Sequence, residues 1–175
     1  MAPGDPRADL REAVRREPRN ALAWIVLADA ELDAGDALAG QSACQQALAL
    51  APGHPEALAR LGRAHWLQRR FPEAVASLQA AAGAAPRHPG IAVWLGHALE
   101  DAGEAEAAAD AYTTAHALAP DEPQLAAYLL AHKLAMRQST GMAALRSERR
   151  MQHYQIERGS PKRVFAGERF QAVMP

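Results

Sequence analysis

The sequence predicts an all-α fold in which antiparallel helix hairpins stack into an α-solenoid. Within residues 55–88, apolar or small residues recur at i, i+3 and i+4 in two successive segments, which indicates two amphipathic helices joined by a turn. The composition is rich in alanine and nearly free of β-branched runs, which also favours helices. The same hairpin returns every 34 residues, as two sets of residues in one register show: Pro18, Pro52, Pro86 and Pro120, and Leu27, Leu61, Leu95 and Leu129.

The chain divides into four parts. Residues 1–20 hold an N-terminal half-repeat cap, where a helix near residues 7–17 carries Leu10, Ala13 and Val14 on one face. Residues 21–122 hold three full copies, with hairpins expected at about residues 21–51, 55–85 and 89–119. Residues 123–141 are predicted to form a terminal capping helix and a loop, because the recurring alanines and prolines stop there. Residues 142–175 are predicted to form a basic helix and tail.

In two of the three copies, a glycine stands at the turn inside the hairpin. Gly35 and Gly103 stand where a helix end often needs a positive φ, which glycine adopts without strain. Arg69 takes this place in the second copy, so that turn either accepts a strained residue or is built differently. Pro55 and Pro89 are expected to begin the first helices of their copies, where a missing N–H is harmless.

The repeat resembles the tetratricopeptide repeat family, whose 34-residue pattern is W-x2-L-G-x2-Y, then A-x3-F, then P. The resemblance covers residues 7–137 and rests on the first helices of the three copies, which supply Trp24, Leu27 and Ala28; Leu58, Leu61, Gly62 and His65; and Ala92, Leu95, Gly96 and Leu99. Glu31 departs from the pattern, since an aromatic residue usually stands there. The family implies a right-handed superhelix of three full repeats with flanking caps. It also implies that the following residues are inaccessible: Leu27, Cys44, Ala47, Leu61, Ala81, Leu95 and Ala115.

Charge is unevenly distributed along the chain. Residues 1–136 hold 11 Lys and Arg against 17 Asp and Glu, a net charge of −6, whereas residues 137–175 carry +5. The basic end also has apolar residues such as Phe165 and Phe170. We expect this segment either to dock on an array, which would allow self-association, or to be a disordered tail.

The compartment is predicted to be the cytoplasm. The single cysteine, Cys44, excludes an internal disulfide framework and fits a reducing environment. The first residues lack the apolar core of a signal peptide, and no run of about 18 apolar residues occurs, so no membrane association is expected.

The sequence offers little catalytic chemistry, so we predict that the chain is not an enzyme and needs no cofactor or metal. Phosphate loops, nucleophile elbows and paired metal motifs are missing from the sequence. One helix segment places His97, Glu100 and Asp101 at spacings of three and four, which suits either a minimal metal or acid–base pair or a solvated polar face. Cys44 replaces a core residue and is expected to be inert.

The family resemblance implies a ligand groove lined by the first helices, on the side opposite their packing stripe. The groove residues predicted in this way are Ile25, Asp29, Arg60, Arg63, Trp66, Trp94, His97, Glu100 and Asp101, with Leu22, Val26, Leu32, Asp33, Leu67 and Val93 beside them. Trp66 and Trp94 stand outside the tryptophan position of the pattern, so each either anchors a partner or covers a neighbouring repeat. Arg60 and Arg63 either bind a carboxylate or form a solvated face.

The function predicted from these features is a protein–protein interaction module, a scaffold or adaptor that binds a peptide or helix in the concave groove. The alternative is the recruiting domain of a larger enzyme, such as a bacterial transferase or hydroxylase, because similar arrays are attached to some of them. Nucleic-acid binding by the arginine-rich end is a third and weaker hypothesis, since the basic residues lack interleaved aromatic residues.

Overall fold

The computed structural model describes residues 6–123 and residue 126. Within these residues the chain forms seven α-helices and no strand, which confirms the predicted all-α fold. The helices are α1 Pro6–Arg16, α2 Ala21–Asp33, α3 Ala37–Leu50, α4 Pro55–Leu67, α5 Phe71–Ala84, α6 Pro89–Ala102 and α7 Ala105–Leu118. The predicted cap at residues 123–141 and the basic segment at residues 142–175 lie outside the described residues, apart from 123 and 126.

The chain consists of two compact units, Met1–Arg87 and His88–Pro175. In the first unit, α1 packs on α2, α2 pairs with α3, and α4 pairs with α5, while α4 also packs on α2 and α3. In the second unit, α6 and α7 form one hairpin. The three predicted hairpins and the preceding lone helix are therefore confirmed.

Local sequence accounts for where the helices begin. The side chains of Asn20 and Asp36 accept hydrogen bonds from backbone N–H groups at the starts of α2 and α3, which satisfies donors that a helix start leaves open. Pro55 and Pro89 occupy the first turns of α4 and α6, as predicted. The 34-residue spacing of these signals thus determines the spacing of the hairpins.

The three intrahairpin turns share one left-handed residue. Gly35 has φ 84° and Gly103 has φ 87°, as predicted, and Arg69 adopts φ 62° at the matching place. The second copy therefore keeps the turn and accepts a strained non-glycine residue. The guanidinium carbon of Arg69 lies 5.8 Å from the centre of the Phe71 ring, which is a cation–π contact.

Close packing inside each hairpin depends on a small residue of the first helix that faces a side chain of the second. A Cβ added to Gly62 would lie 2.5 Å from Leu78 Cγ, and one added to Gly96 would lie 2.5 Å from Tyr112 Cε1. In the first copy the matching pair is Ala28 and Cys44, which share a core cluster. A larger side chain on the second helix is thus matched by a smaller one on the first, so the two helices can pack closely.

The burial predicted from the repeat register is mostly confirmed. Leu27, Cys44, Ala47, Ala81 and Ala115 are buried. Leu61 and Leu95 were expected to be inaccessible, and this was wrong, since both are only partly buried. Leu61 does not point into its own hairpin alone; it packs against a cluster of the preceding copy that includes Leu27 and Cys44.

Candidate functional site

The two arginines of the predicted groove bind carboxylates of the chain itself. Arg60 Nε lies 3.2 Å from Asp29 Oδ1. Arg63 Nη2 donates to Asp33 Oδ1 at 2.7 Å, and Arg63 Nη1 lies 3.6 Å from Asp29 Oδ1. The arginines stand on α4 and the aspartates on the neighbouring α2, so the ion pairs join two repeats of the first unit. We call these four residues the Asp–Arg cluster.

The Asp–Arg cluster is buried on its basic side and open on its acidic side. The Arg63 side chain is only 4% exposed, whereas the side chains of Asp29 and Asp33 are each 23% exposed. Arg60 also donates to the carbonyl oxygen of Glu56 at 3.3 Å. The partly exposed carboxylates of Asp29 and Asp33 are therefore held in place by arginine head groups that are themselves shielded from solvent.

Two apolar side chains stand on the same face of α2 as the aspartates. Leu22 and Val26 are 61% and 51% exposed, although both are large hydrophobic residues. Their spacing from Asp29 and Asp33, at four, three and four residues, places all four on one helical stripe. Residues 22, 26, 29 and 33 form what we call the α2 face.

Ile25, by contrast, is a core residue. It is buried in a cluster with Ala47 and Ala57, because α4 covers this side of α2. Leu32 is also buried and packs where a Cβ on Gly40 would stand. The prediction that both residues line a groove is therefore wrong for this structure.

Trp66 is partly buried near the end of α4.

In the second unit, the predicted groove residues form a packed polar network. Tyr112 Oη donates to Glu100 Oε2 at 3.1 Å and lies 2.8 Å from His97 Nδ1. The Tyr112 hydroxyl of α7 thus joins the His97 ring and the Glu100 carboxylate of α6. Sequence reasoning missed this network, because Tyr112 lies on a different helix from the other two.

Trp94 belongs to the interior of the second unit. Its side chain is 1% exposed, and its ring packs edge-on against the His97 ring with centres 5.8 Å apart. Of the two roles predicted for this residue, burial favours packing over direct contact with a partner. Asp101 is partly buried on the same helix. In the part of the chain that the structure describes, no three His, Cys, Asp or Glu side chains are grouped as a metal site.

Cys44 lacks the properties of a reactive thiol. It is fully buried, and burial raises its pKa to about 12. The thiol is therefore protonated at neutral pH, and the thiolate is the nucleophilic form. This agrees with the expected inert role.

Glu31 is a charged residue inside the first unit. It stands where the family pattern has an aromatic residue, and it is 2% exposed. Its Oε1 accepts from Arg11 Nε at 2.7 Å, and its Oε2 lies 3.7 Å from Arg7 Nη1. Both arginines belong to α1. The cap helix therefore supplies the positive charge that a buried carboxylate needs.

A family model decides the identity of the fold. The model of the tetratricopeptide repeat matches residues 6–55, 27–89 and 59–123, which together cover most of the described chain. The chain belongs to the tetratricopeptide repeat family. Its repeats support a role as a protein–protein interaction scaffold. Within the described residues, every helix is too short or too polar to cross a bilayer.

Solved structures share this tetratricopeptide repeat fold. MamA from Desulfovibrio magneticus RS-1 is 22% identical, with a TM-score of 0.66 over 88% of this chain and 85% of that one. The tetratricopeptide repeat protein TTC0263 of Thermus thermophilus is 20% identical, with a TM-score of 0.66 over 74% and 72%. At these identities the likeness shows the fold alone.

Two further proteins are similar over a smaller share of their own length. A mutant O-GlcNAc transferase of Thermobaculum terrenum is 26% identical, with a TM-score of 0.61 over 75% of this chain and 23% of that one. A peptide chain release factor homolog of Escherichia coli is 53% identical over 47 residues, which are 27% of this chain. The chain covers 23% of the length of that relative.

His65 is a buried histidine of the second tetratricopeptide repeat. It takes the aromatic place of the pattern, and its Nδ1 lies 3.3 Å from Ser77 Oγ. Burial, with the nearby Arg70 charge, lowers the pKa of His65 below its ordinary value of 6.5, and Glu73 opposes this only in part. The folded state thus binds this proton less readily than the unfolded state does.

We expect stability to fall as the pH is lowered below 6.5, through the lowered pKa of folded His65. His65→Leu, which copies Leu99 of the third repeat, removes the part of this dependence that lies below pH 6.5 and belongs to His65. Urea unfolding at several pH values measures the effect. Carboxylates titrate in both proteins, so only the difference between the two slopes of stability against pH reports His65. Equal slopes in the parent and in His65→Leu would contradict the assignment.

Proposed function

We propose that the chain is an adaptor that binds a peptide or helix of another protein on the α2 face of its first repeat. The observation that carries this proposal is the pair Leu22 and Val26, two large apolar side chains more than half exposed on one helical stripe. First helices of tetratricopeptide repeats line the concave surface of such arrays, and exposed apolar residues there suit a partner.

The chemistry of the α2 face defines the ligand. Leu22 and Val26 accept apolar side chains one helical turn apart, and the carboxylates of Asp29 and Asp33 accept hydrogen bonds from backbone or side-chain donors. The Asp–Arg cluster holds these carboxylates in place, which lowers the entropy lost on binding. A segment with two apolar residues followed by an amide or ammonium donor fits this order.

The other predicted groove residues have supporting roles in this proposal. Arg60 and Arg63 orient the two aspartates, and Ile25 fixes α2 against α4. Trp66 of the first unit is partly buried and has no assigned contact with the ligand. In the second unit, Trp94 and His97 are buried, so they and their neighbours Glu100 and Asp101 support the fold of that unit in this proposal.

The test is a selection of peptides from a random displayed library on the full chain. Peptides that bind the α2 face should lose affinity about tenfold or more for Leu22→Ser, Val26→Ser, because truncating central apolar contacts is costly. The matched control is Leu38→Ser, Leu50→Ser, which changes two exposed apolar residues of α3. Selected peptides that bind both variants as well as they bind the parent would refute the α2 face as the site.

A second candidate function is the recruiting domain of a larger enzyme, such as a bacterial transferase or hydroxylase. Its support is the 26% identity to part of an O-GlcNAc transferase, of whose length this chain covers 23%. An antibody against this chain distinguishes the two functions: a native protein much heavier than 18.7 kDa favours the enzyme, and one of that mass contradicts it.

Self-association through the basic residues 142–175 stays a prediction, because these residues lie outside the described part of the chain. Its support is the charge of +5 on residues 137–175. Light scattering of the full chain and of a chain without residues 159–175 tests it. A full chain that is monomeric at every concentration would end this proposal.

A further inference from the structure

A second surface of the first unit lies under the cap helix α1. Val14 of α1 belongs to one buried apolar cluster with Leu27, Ala28, Ala43 and Cys44, and Leu10 packs against it. Beside this cluster lies the buried carboxylate of Glu31, which pairs with arginines of α1. This surface combines an apolar patch with one negative charge, so it accepts a helix that presents apolar side chains and a cation on the same face.

α1 meets this requirement with four residues on one stripe. Arg7, Leu10, Arg11 and Val14 follow each other at spacings of three, one and three, and Leu10 and Val14 pack against the apolar patch. Arg11 Nε and Nη2 both lie 2.7 Å from Glu31 Oε1. α1 thus contacts the rest of the unit through apolar packing and through arginines that pair with a buried glutamate.

The fit of α1 is incomplete, however. Among the described residues of α1, only Val14 has a buried side chain. The Arg11 side chain remains 45% exposed. Glu31 Oε2 is buried and accepts no hydrogen bond, since Arg7 Nη1 stays 3.7 Å away. A helix of 11 residues also has little stability of its own.

The loop between α1 and α2 is held by two side-chain hydrogen bonds. Trp24 Nε1 donates to the Pro18 carbonyl oxygen at 2.9 Å, and Asn20 Nδ2 donates to Glu17 at the same distance. Detached α1 therefore stays tethered within a few residues of its site. A short tether gives a high effective concentration, which makes α1 a competitor for any other helix.

We infer that the surface under α1 is a docking site for an arginine-bearing amphipathic helix of a partner protein, with α1 as the intramolecular occupant that such a helix displaces. A partner arginine that donates to Glu31 Oε2 satisfies the acceptor that α1 leaves open. The partner helix therefore needs apolar residues and arginines at the same spacing as those of α1. This surface is separate from the α2 face.

The experiment uses a labelled synthetic peptide of residues 1–19 and measures its anisotropy with the full chain. Arg7→Ala, Arg11→Ala in the chain weakens the tethered competitor, so this variant should bind the wild-type peptide about tenfold or more tightly than the wild-type chain does. The same two substitutions in the peptide should abolish binding. The matched control peptide carries Arg15→Ala and Arg16→Ala, which remove arginines that pair with Glu12 of α1 itself, and should bind unchanged.

Glu31→Leu in the Arg7→Ala, Arg11→Ala chain tests the recognition itself. With the carboxylate gone, the wild-type and arginine-free peptides should bind alike. Equal binding of these two peptides to a chain that keeps Glu31, or no binding to a variant that is folded by circular dichroism, would overturn the inference.

Hydrogen exchange on the wild-type chain provides a second measurement that does not depend on a variant folding. The amides of α1 should exchange through local opening, with protection at least about tenfold below that of α2 and α4. Protection of α1 equal to that of α2 would show that the cap does not detach and would overturn the inference.

Discussion

Trp94→Ala is expected to lower the free energy of unfolding by about 3 to 5 kcal/mol, the range for removing a buried aromatic side chain. Trp94 is 1% exposed and packs against the ring of His97, which is held in turn by Tyr112. The cavity left by alanine removes the support for this network. Circular dichroism during guanidinium unfolding measures the loss without relying on the missing fluorophore.

Trp66→Ala is the matched control for Trp94→Ala. Trp66 is only partly buried, so its removal should cost clearly less. Equal losses would mean that Trp94 is not the core residue that the structure shows. A weaker partner affinity of Trp94→Ala therefore reports a damaged fold and does not identify a contact.

Leu78→Ala is expected to lower the free energy of unfolding by about 2 to 5 kcal/mol. Leu78 is fully buried above Gly62, so the deleted atoms leave a cavity between α4 and α5. Leu61→Ala should cost less, since Leu61 is partly buried. Urea unfolding of both variants at one pH makes the comparison. A greater loss for Leu61→Ala would contradict the observed packing.

Gly62→Ala tests whether the small residue 62 of α4 is matched in size to the larger residue 78 of α5. Its added Cβ would lie 2.5 Å from Leu78 Cγ, and overpacking of this kind costs about 1 to 3 kcal/mol. Gly62→Ala with Leu78→Cys copies the natural Ala28 and Cys44 pair of the first repeat. The double variant should lose less than the sum of its single variants, because the smaller partner makes room. Strict additivity would contradict the size matching.

Much of the fold could be predicted because its signals are local. The capping residues, the prolines at helix starts and the glycine turns each act within a few residues, and they return every 34 positions. Even the exception at Arg69 was visible, since a non-glycine residue stood where the repeat needs a positive φ. The error at Leu61 arose because its neighbours belong to the preceding copy.

The candidate site was less predictable, because helical spacing assigns a residue to a side of its own helix and does not name what covers that side. Ile25 and Asp29 were predicted to share the groove, yet α4 buries the first and holds the second, still partly exposed, in ion pairs with Arg60 and Arg63. Arg60 and Arg63 were predicted either to bind a carboxylate or to form a solvated face, whereas both are buried and pair with Asp29 and Asp33 of the same chain.

The sequence by itself determined the helices, their pairing into hairpins and membership of the repeat family, since these depend on periodicity and local backbone chemistry. Only the tertiary structure decided which polar groups meet. Glu31 finds Arg11 twenty residues away, and Asp33 finds Arg63 thirty residues away. Burial makes such partners obligatory, because a charge removed from water must be compensated, but only the packing of neighbouring helices brings the compensating charge within reach.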